Sequence, residues 1–420
     1  MLKFCGKLVT MKDKIILLND TIDLENWGGQ AGAYILKQIM EKNNPNYKIV
    51  SITYKQITKN YYKIKFIKNH IFEFETSNVL TRISELFEYY PRTADEYDYY
   101  ARKWLRGEAG PFIKNFLKLL PEVKTIFYNG EGSVYRNNNT AKKALFMLWF
   151  ARMYYNVPFV FLNGTVHLPD TDPILPAMVK KTFNKAEKVF VRENYSLRNL
   201  QCNFPTLNIN MVPDSAFLLH STSNNYNVRS NFDLFSHNLK EPYVCLSIPV
   251  HITKLPGFYT LENNLSGINL LIEKLKKLGR DVVIMGKEYQ EQFLFQVAKD
   301  NKCLYFGQEY NYEELIKLLS NADFLISGRY HHIIFASIVG CPVIPFRSSS
   351  FKIDGLWELL EMNNFCSVYD FSNLRDDMQN IVETIEKLIK EREQYSSFLK
   401  NQSLRLKTFA EKLTEIVKIQ

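Results

Sequence analysis

The chain alternates short apolar runs with longer segments in which apolar residues recur every three to four positions. Short runs predict buried strands, and the longer spacing predicts amphipathic helices. In the first half, the pattern predicts strands at residues 14–18, 49–54, 125–128, 157–162, 189–191 and 207–211. It predicts helices at residues 31–40 and 139–155, and from about residues 173 and 195. Strands and helices that alternate at this spacing favour parallel βαβ units.

A second series follows a polar, asparagine-rich segment at residues 221–241. Its predicted strands are residues 243–248, 281–286, 304–306, 323–326 and 342–345. Its predicted helices are residues 265–278, 288–299 and 312–320, one that runs to about residue 339, and a charged tail from about residue 375. We therefore predict an α/β protein with two Rossmann-like, doubly wound domains in the glycosyltransferase B-type (GT-B) architecture, with a C-terminal helical tail.

The predicted domain boundaries follow from this pattern. The first domain covers residues 1–225 and contains an inserted, partly helical segment at about residues 85–120. A linker covers residues 226–241, and the second domain with its terminal helices covers residues 242–420. A chain of 420 residues is long enough for two such domains.

The charge balance narrows the classes of partner. A net charge of +9 suits anionic partners, but the basic residues alternate with Asp and Glu through most predicted helices. Nucleic-acid-binding proteins usually concentrate their positive charge. We therefore expect phosphorylated small molecules or an acidic lipid surface, and no nucleic acid.

Several features predict a cytoplasmic protein. The six cysteines show no C-x-x-C spacing, and the N-terminus lacks a signal-peptide pattern. The most membrane-like segment, residues 144–150, is broken by Arg152 and Asn156 well short of the roughly 20 residues of a span. We interpret it as a core helix. An interfacial helix behind Lys142 and Lys143, with peripheral contact at the inner face of the membrane, stays an open alternative.

Two post-strand loops of the first domain contain glycines beside polar residues. Ligands of parallel sheets bind at the carboxyl ends of the strands. Asn26, Gly28 and Gly29 follow the first strand, where glycine amides can approach an anion, although a tight turn explains them equally well. Asn129 and Glu131 follow the third strand. Glu131 lies between glycines, so it either shapes a substrate site or forms a local turn.

Charged residues follow two later strands of the same domain. Arg192 stands at a strand end before a helix, where its guanidinium can hold a phosphate or carboxylate. The alternative is a solvated arginine that pairs with Glu193. Asp214 either orients a site arginine or caps a turn.

The stretch "SGRYHH", residues 327–332, lies where a strand of the second domain gives way to a helix. Arg329 can hold an anion, and His331 can give or take a proton near neutral pH. His332 precedes an apolar run and is interpreted as a structural residue. Together the arginine and the histidine predict a compact acid/base site.

These motifs, in their order along the chain, resemble the polysaccharide pyruvyl transferase family. The resemblance spans about residues 14–360 and rests on "NWGGQAGAYIL", "NGEGS", "VRENYSLRNL", "PDSAF", "SGRYHHIIFASIVGCPVIPF" and "SSFKIDGLWELL". The first motif departs from the family, because Gly28-Gly29-Gln30 stands where members commonly show an Asn-x-Gly-Asp-like sequence.

The resemblance implies a transferase that moves pyruvyl from phosphoenolpyruvate onto a sugar of a surface polysaccharide, such as a capsule or exopolysaccharide of the cell envelope, or onto its lipid-linked precursor. Phosphoenolpyruvate carries a phosphate and a carboxylate, so Arg192, Arg329 and Lys352 would bind it. His331 would act as acid or base. The first domain would bind the acceptor and the second the donor. No metal and no cofactor besides the donor substrate is expected.

Two rival functions stay open at this point. The same architecture, with an arginine and a histidine facing a diphosphate, suits a glycosyltransferase that uses a nucleotide sugar in surface glycan synthesis. A non-catalytic carbohydrate-binding module fits less well, because polar loops recur in both domains. The tyrosines and Trp104 of the inserted segment either stack on acceptor sugars or form the packed face of a helical hairpin.

Overall fold

The computed structural model describes residues 12–58, 89–132, 134–135, 138–168, 173–221, 242–248, 261–287, 291, 293–348 and 350–419. These residues contain two parallel sheets with helices between successive strands. The prediction of two Rossmann-like units is therefore confirmed. The predicted linker at residues 226–241 and the first residues of the predicted insertion, 85–88, lie outside the described residues.

The first sheet has six parallel strands in the spatial order β2-β1-β3-β4-β5-β6. They are β1 (Lys14–Asp20), β2 (Lys48–Thr53), β3 (Val123–Asn129), β4 (Phe159–Gly164), β5 (Lys188–Val191) and β6 (Ile209–Met211). The helices described in this half are α1 (Trp27–Asn43), α2 (Tyr54–Thr58), α3 (Tyr97–Leu105), α4 (Pro111–Leu119), α5 (Asn139–Tyr155), α6 (Ile174–Phe183) and α7 (Asn194–Asn203). Short 3-10 segments lie at Leu120–Glu122 and Ser215–Ser221.

The second sheet has five parallel strands in the order β11-β10-β7-β8-β9. They are β7 (Tyr243–Ser247), β8 (Asp281–Met285), β9 (Leu304–Phe306), β10 (Phe324–Ser327) and β11 (Val343–Pro345). Its helices are α8 (Leu261–Lys277), α9 (Phe293–Asp300), α10 (Tyr312–Asn321), α11 (Tyr330–Val339) and α12 (Lys352–Leu359). Two 3-10 segments, Met362–Asn364 and Phe371–Asn373, precede the tail helices α13 (Met378–Lys390), α14 (Arg392–Ala410) and α15 (Lys412–Ile416).

The strands are continuous apolar runs because helices cover both faces of a parallel sheet. In β1, every residue after Lys14 is buried, including Asn19 and Asp20 at its carboxyl end. In β10, all four residues are buried. Two such sheets can therefore be recognised from the sequence. The buried polar residues at the strand ends depart from this apolar pattern, which makes them candidates for a functional site.

The inserted segment is mainly a packed helical hairpin. Trp104 of α3 packs against Phe146 with ring centroids 4.7 Å apart, and Tyr97 packs against the same ring at 5.1 Å. The indole N–H of Trp104 donates to the carbonyl of Tyr89 at 2.7 Å. Tyr99, in contrast, is 50% exposed. The packed-face alternative therefore holds for Tyr97 and Trp104.

Helix α5 is a core helix, as the preferred interpretation predicted. Its residues from Thr140 to Ala151 are all buried. A helix with no exposed apolar face along this length cannot lie in a membrane interface. Among the described residues, no helix is long and apolar enough to cross a bilayer.

The two halves contact each other at several points. The indole N–H of Trp27 in α1 donates to the carbonyl of Tyr310 at 2.8 Å, and Arg198 pairs with Glu358 at 2.8 Å. The predicted boundaries assigned the whole tail to the second domain, whereas its last residues pack on the first. There the side-chain amide of Asn44 donates to the carbonyl of Val417 at 2.9 Å.

Candidate active site between the two sheets

Four predicted side chains converge where the carboxyl ends of the two sheets face each other. Glu131 lies two residues after β3, Arg192 follows β5 directly, and Asp214 lies three residues after β6. His331 is the second residue of α11, which follows β10 of the other sheet. The sequence motif "SGRYHH" therefore does face Arg192 and Glu131 across the cleft.

Arg192 is the centre of this group and is only 1% exposed. Its Nε donates to Thr165 Oγ1 at 2.9 Å, and its Nη1 donates to Asp214 Oδ2 at 2.7 Å. The same Nη1 also pairs with Glu131 Oε2. The ring of Tyr330 covers the guanidinium, with the centroid 4.0 Å from the Cζ atom. Arg192 is thus a fixed, buried cation with two carboxylate partners.

The alternative of a solvated Arg192 paired with Glu193 is wrong. Glu193 is buried and serves as the N-cap of α7, where its carboxylate accepts from the Ser196 amide at 2.9 Å and from the Ser196 hydroxyl. Burial raises the pKa of Glu193, and the hydrogen bonds from Ser196 oppose that rise. The cap directs this carboxylate to its own helix and leaves Arg192 to the other two acids.

His331 lies between the two carboxylates of the opposite domain and is 5% exposed. Its Nε2 is 3.5 Å from Asp214 Oδ2, and its Nδ1 is 3.8 Å from Glu131 Oε1. Two carboxylates against one guanidinium leave one negative charge. The two ring nitrogens of His331 thus face the two carboxylates, one on each side.

The electrostatics of the buried pair agree with this arrangement. Burial alone would raise the pKa of Asp214, but the charges of His331 and Arg192 outweigh burial and hold that pKa below its ordinary value. Burial would lower the pKa of Arg192, whereas Glu131, Tyr330 and Asp214 raise it above its ordinary value. Burial also raises the pKa of the Tyr330 hydroxyl well above its usual range. Asp214 and Arg192 are therefore ionised at neutral pH.

The glycine motif differs from its prediction. Helix α1 begins at Trp27, so Gly28 and Gly29 lie in its first turn and not in a preceding loop. Asn26 is the N-cap, and its Oδ1 accepts from the Gly28 amide at 2.9 Å and from the Gly29 amide at 3.1 Å. Both amides are thereby used inside the protein. A role of these three residues in substrate binding stays a prediction and would compete with these hydrogen bonds.

Gly28 has a steric role that the sequence did not reveal. A Cβ atom at this position would lie 2.1 to 2.2 Å from the Cγ, Cβ and Nδ1 atoms of His331. No side chain fits at that distance, so the absence of a Cβ lets the catalytic candidate reach the carboxylates. A Cβ on Gly29 would lie 3.4 Å from Thr21, an ordinary contact.

Three asparagines fix the loop that carries Glu131. Asn129 is fully buried, and its Oδ1 accepts from Asn163 Nδ2 at 3.2 Å and from the Glu131 amide at 3.3 Å. Asn19 donates from its side chain to the carbonyls of Asn129 at 2.6 Å and Glu131 at 3.2 Å. Asn19 adopts a φ of 62°, which asparagine tolerates better than most residues. A direct role of Asn129 in substrate binding stays a prediction.

Sequence reasoning missed Asn19, Asn163 and Asp214's second contact. Asn163 lies in β4, and its Oδ1 accepts a hydrogen bond from the Ser215 amide at 2.8 Å. The next amide, that of Ala216, donates to Asp214 Oδ1 at 2.9 Å. Asp214 therefore both orients Arg192 and caps a turn, so neither alternative excluded the other. The available signal was an asparagine near the carboxyl end of β1, β3 and β4, where a core residue would be apolar.

Arg329 on the second side of the cleft has a different partner. It is the N-cap residue of α11, its side chain is 14% exposed, and it pairs with Glu291. Glu291 was not predicted, since nothing in the sequence around it distinguishes it from a surface acid. Lys352 is the first residue of α12 and is half-buried. The roles of Arg329 and Lys352 toward a substrate stay predictions.

His332 is a structural residue, as interpreted from the sequence. Its Nδ1 is 2.7 Å from Ser247 Oγ, and its ring packs 5.5 Å from that of Trp27. Burial, followed by the charges of Arg329 and His331, lowers its pKa well below the usual value. His332 therefore stays neutral and supports the cleft while His331 faces it.

Glu131, Asp214 and His331 also resemble a three-ligand metal set, because one ligand atom of each lies within 4.8 Å of the others. Arg192 already donates to both carboxylates. Its guanidinium therefore supplies the positive charge that a metal ion would supply. The expectation that no metal or cofactor is needed stays a prediction.

Comparisons with known proteins agree with the fold and the motifs. A family model described as polysaccharide pyruvyl transferase matches residues 26–350. The UDP-GlcNAc 2-epimerase from Neisseria meningitidis, bound to UDP-GlcNAc, is similar with a TM-score of 0.54 and 12% identity, over 95% of this chain and 100% of that one. An α,α-trehalose-phosphate synthase (UDP-forming) from Burkholderia vietnamiensis gives a TM-score of 0.54 and 9% identity, over 97% of each chain.

The UDP-GlcNAc 2-epimerase from Methanocaldococcus jannaschii, in complex with UDP-GlcNAc and UDP, gives a TM-score of 0.52 and 14% identity, over 90% of this chain and 92% of that one. At these identities the likeness shows the fold alone, and it confirms the GT-B architecture. A comparison with curated protein sequences gives no match. The family model covers well over half of the chain and all of the converging residues, so the protein belongs to the polysaccharide pyruvyl transferase family, a family of enzymes.

Proposed function

We propose that the protein transfers pyruvyl from phosphoenolpyruvate to two hydroxyls of one sugar and thereby forms a pyruvate ketal. The sugar belongs to a surface polysaccharide or to its lipid-linked precursor. The observation that carries the proposal is His331, which the second domain places between two carboxylates of the first. Family membership supplies the reaction class.

The reaction needs one proton donor and one proton acceptor. Protonation of the methylene carbon of phosphoenolpyruvate turns it into a methyl group and leaves a cationic centre at C2. One sugar hydroxyl adds to C2, inorganic phosphate leaves, and the second hydroxyl closes the ketal. Two hydroxyl protons are lost, of which one replaces the proton given to carbon and the other departs with phosphate and solvent.

His331 is suited to both proton transfers. As an imidazolium it donates to the methylene carbon, and as the resulting imidazole it accepts the proton of the attacking hydroxyl. Asp214 and Glu131 stabilise the imidazolium and keep its ring in place, as the acid of a catalytic triad does for its histidine. The low exposure of the group strengthens these interactions, because water does not screen them.

The donor's phosphate and carboxylate need cations that a ligand can reach. Arg329, with its side chain partly exposed, and Lys352 are the predicted pair, and the donor would replace Glu291 as the partner of Arg329. Arg192 is held by Glu131 and Asp214. We therefore propose that Arg192 positions the two acids, and that it contacts the donor only if Glu131 moves away.

A glycosyltransferase that uses a nucleotide sugar is the alternative. The similar solved structures include enzymes bound to UDP-GlcNAc and UDP, and one fold hosts many reactions. A diphosphate would use the same arginine and the same helix N-terminus at Tyr330. The two functions therefore differ in the donor and not in the architecture.

Thermal shift with each donor separately distinguishes the two. We expect phosphoenolpyruvate to stabilise the protein in a concentration-dependent way. Phosphate release from phosphoenolpyruvate, measured across a panel of acceptor glycosides, then reports turnover. Stabilisation by nucleotide sugars only would sink the pyruvyl proposal.

The variant His331→Gln tests the proton carrier. We expect it to keep phosphoenolpyruvate binding and to lose about 10²- to 10⁴-fold in turnover. His332→Asn is the matched control, since the adjacent histidine faces Ser247 and not the carboxylates. Equal turnover losses in the two variants would remove His331 from the mechanism.

A further inference from the structure

Tyr330 places a buried hydroxyl group in the candidate active site. It is the first residue of α11, directly between Arg329 and His331 in the sequence. The residue is 3% exposed, and its phenolic oxygen has no hydrogen-bond partner among the residues that the structure describes. A buried hydroxyl without a partner is costly and uncommon in native proteins, so its presence calls for an explanation.

The ring of Tyr330, unlike its hydroxyl, has clear packing partners. Its centroid lies 4.0 Å from the Cζ atom of Arg192, where a guanidinium is attracted to an aromatic face. The ring also meets that of His331 edge to face, with centroids 5.3 Å apart and planes at 84°. A phenylalanine ring could make both contacts. Packing therefore explains an aromatic residue at this position but not its oxygen.

The hydroxyl is an uncharged donor that lies near charged groups of the first domain. Burial raises the pKa of Tyr330 well above its usual range, the charge of Arg192 opposes the rise, and Asp214, Glu193 and Glu131 add to it. The group therefore stays protonated at neutral pH. It offers one O–H donor without adding a charge.

The charges around this hydroxyl favour a neutral ligand over an anion. Arg192, the cation against the ring, already pairs with both Glu131 and Asp214. One guanidinium against two carboxylates leaves no excess positive charge to attract a phosphate, and a proton on His331 would only neutralise the group. A sugar hydroxyl is neutral, and it can accept from the phenol while it donates to a carboxylate. A sugar therefore fits this donor better than phosphoenolpyruvate does.

We propose that the Tyr330 hydroxyl donates a hydrogen bond to a hydroxyl oxygen of the acceptor sugar and so orients that sugar beside His331. The choice of the acceptor rests on the proposed function. Tyr330 belongs to the second domain and borders the first, so the sugar enters while the domains are apart and gains this contact as they close. Tyr330 is then a specificity-determining residue, because a sugar that lacks this hydroxyl leaves the buried phenol without a partner.

The first test compares the stability of two variants without any ligand. Tyr330→Phe removes an oxygen that has no partner in the described part of the chain, so we expect a urea unfolding midpoint equal to or above that of the wild type. Tyr395→Phe is the matched control. Tyr395 is also 3% exposed, but its hydroxyl donates to the Val343 carbonyl, so the midpoint of this variant should fall. A fall as large in Tyr330→Phe would reveal an internal partner and overturns the proposal.

Steady-state phosphate release then separates the two substrates. We expect Tyr330→Phe to raise the KM for the acceptor glycoside about 3- to 10-fold, as the loss of one hydrogen bond predicts, and to leave the KM for phosphoenolpyruvate unchanged. Tyr395→Phe should change neither. A raised KM for phosphoenolpyruvate alone would assign the hydroxyl to the donor and overturns the assignment to the sugar. Unchanged KM values for both substrates overturn the proposal as a whole.

Deoxy analogues of the accepted glycoside identify the sugar hydroxyl that Tyr330 binds. Each analogue lacks one hydroxyl, and its affinity is measured by calorimetry without donor, so that no turnover occurs. We expect one analogue to bind the wild type about tenfold more weakly than the parent glycoside, and this difference to disappear in Tyr330→Phe. Losses that are the same in wild type and variant for every analogue overturn the proposal.

These outcomes are distinguishable from a failure of the proposed function. Stabilisation of the wild type by phosphoenolpyruvate tests the reaction class and does not involve the Tyr330 hydroxyl. Its absence would sink the proposed function, whereas the unfolding and calorimetric comparisons would still decide whether Tyr330 binds a neutral sugar.

Discussion

The two sides of the cleft each contribute an arginine, and they use it differently. On the first side, Arg192 is 1% exposed, donates to two carboxylates and lies under an aromatic ring. On the second side, Arg329 pairs with the carboxylate of Glu291 and keeps 14% of its side chain exposed. Both looked like anion-binding residues in the sequence, since each follows a strand.

The difference indicates which arginine fixes the site and which arginine can exchange its carboxylate partner for a substrate anion. A buried cation that binds two carboxylates and a hydroxyl is fixed in place by these contacts. Its removal leaves the two buried carboxylates without a positive partner. A cation that is partly exposed can exchange an acid for a substrate anion at lower cost, because solvent and ligands can reach it. The first side would thus be pre-organised around His331, and the second would receive the donor.

The largest expected effect comes from removing the two arginines separately. Arg192→Gln leaves Glu131 and Asp214 buried without their shared partner, so we expect a loss of about 3–5 kcal/mol in the free energy of unfolding. Arg329→Gln should destabilise the protein less, since the side chain of Arg329 is more exposed than that of Arg192, and should abolish binding of phosphoenolpyruvate. Urea unfolding and calorimetric titration measure the two effects.

Arg198→Gln is the control for this pair, because Arg198 also joins the two domains but its side chain is 53% exposed. An exposed ion pair of this kind contributes at most about 1 kcal/mol. If Arg329→Gln destabilises the protein as much as Arg192→Gln and retains donor affinity, the contrast between the two sides is wrong.

A smaller effect is expected where the two sides touch, at Gly28 and His331. In Gly28→Ala the new methyl group would overlap both the imidazole and the Cβ atom of His331, so α1 and α11 must move apart and the ring must shift relative to Asp214 and Glu131. A displacement of about 1 Å in a catalytic group can cost on the order of 10²-fold in turnover. We expect that loss in kcat, with folding retained.

Gly29→Ala is the matched variant, one residue further along the same turn. Its methyl group would make an ordinary contact with Thr21, and alanine is favoured over glycine in a helix by roughly 1 kcal/mol. We expect normal turnover and equal or higher stability, as followed by phosphate release and thermal unfolding. A Gly28→Ala enzyme as active as Gly29→Ala would show that His331 does not depend on this clearance.

Most of the fold could be predicted from the sequence. All eleven described strands coincide with predicted apolar runs, and α5 was predicted with its observed bounds, 139–155. Parallel strands are buried on both faces, so their sequences are continuous apolar segments, which are uncommon in loops. The beginning of α1 was placed four residues late because Gly28 and Gly29 are poor helix formers in isolation.

The site could be predicted in its members but not in its pairings. Residues that follow parallel strands lie at the same edge of the sheet, so Glu131, Arg192 and Asp214 could be predicted to lie near one another. The partners were out of reach, because the choice between Glu193 and Glu131 depends on a helix cap formed in three dimensions. The contact of Gly28 with His331 joins residues from two sheets, and no local pattern encodes it.

The smallest expected effect tests whether, on the second side, His332 has only a structural role while His331 carries the proton. His332 is buried and neutral, and its pKa lies well below the ordinary value, whereas in the unfolded chain it titrates near 6.5. Below about pH 6.5 the unfolded state therefore binds a proton that the native state does not bind. The free energy of unfolding therefore decreases as the pH falls below that value.

Urea unfolding at pH 7.5 and pH 5.0 measures this contribution, which should lower the free energy of unfolding at the lower pH. His332→Asn keeps an acceptor for the Ser247 hydroxyl and cannot titrate, so its stability should fall less than that of the wild type over this interval. Asp214 does not interfere, because a carboxyl with a lowered pKa loses its contribution only as the pH falls below about 4. Equal pH dependence in wild type and variant would mean that His332 accepts a proton in the native state. His332 would then be a second candidate proton carrier beside His331, and not a structural residue only.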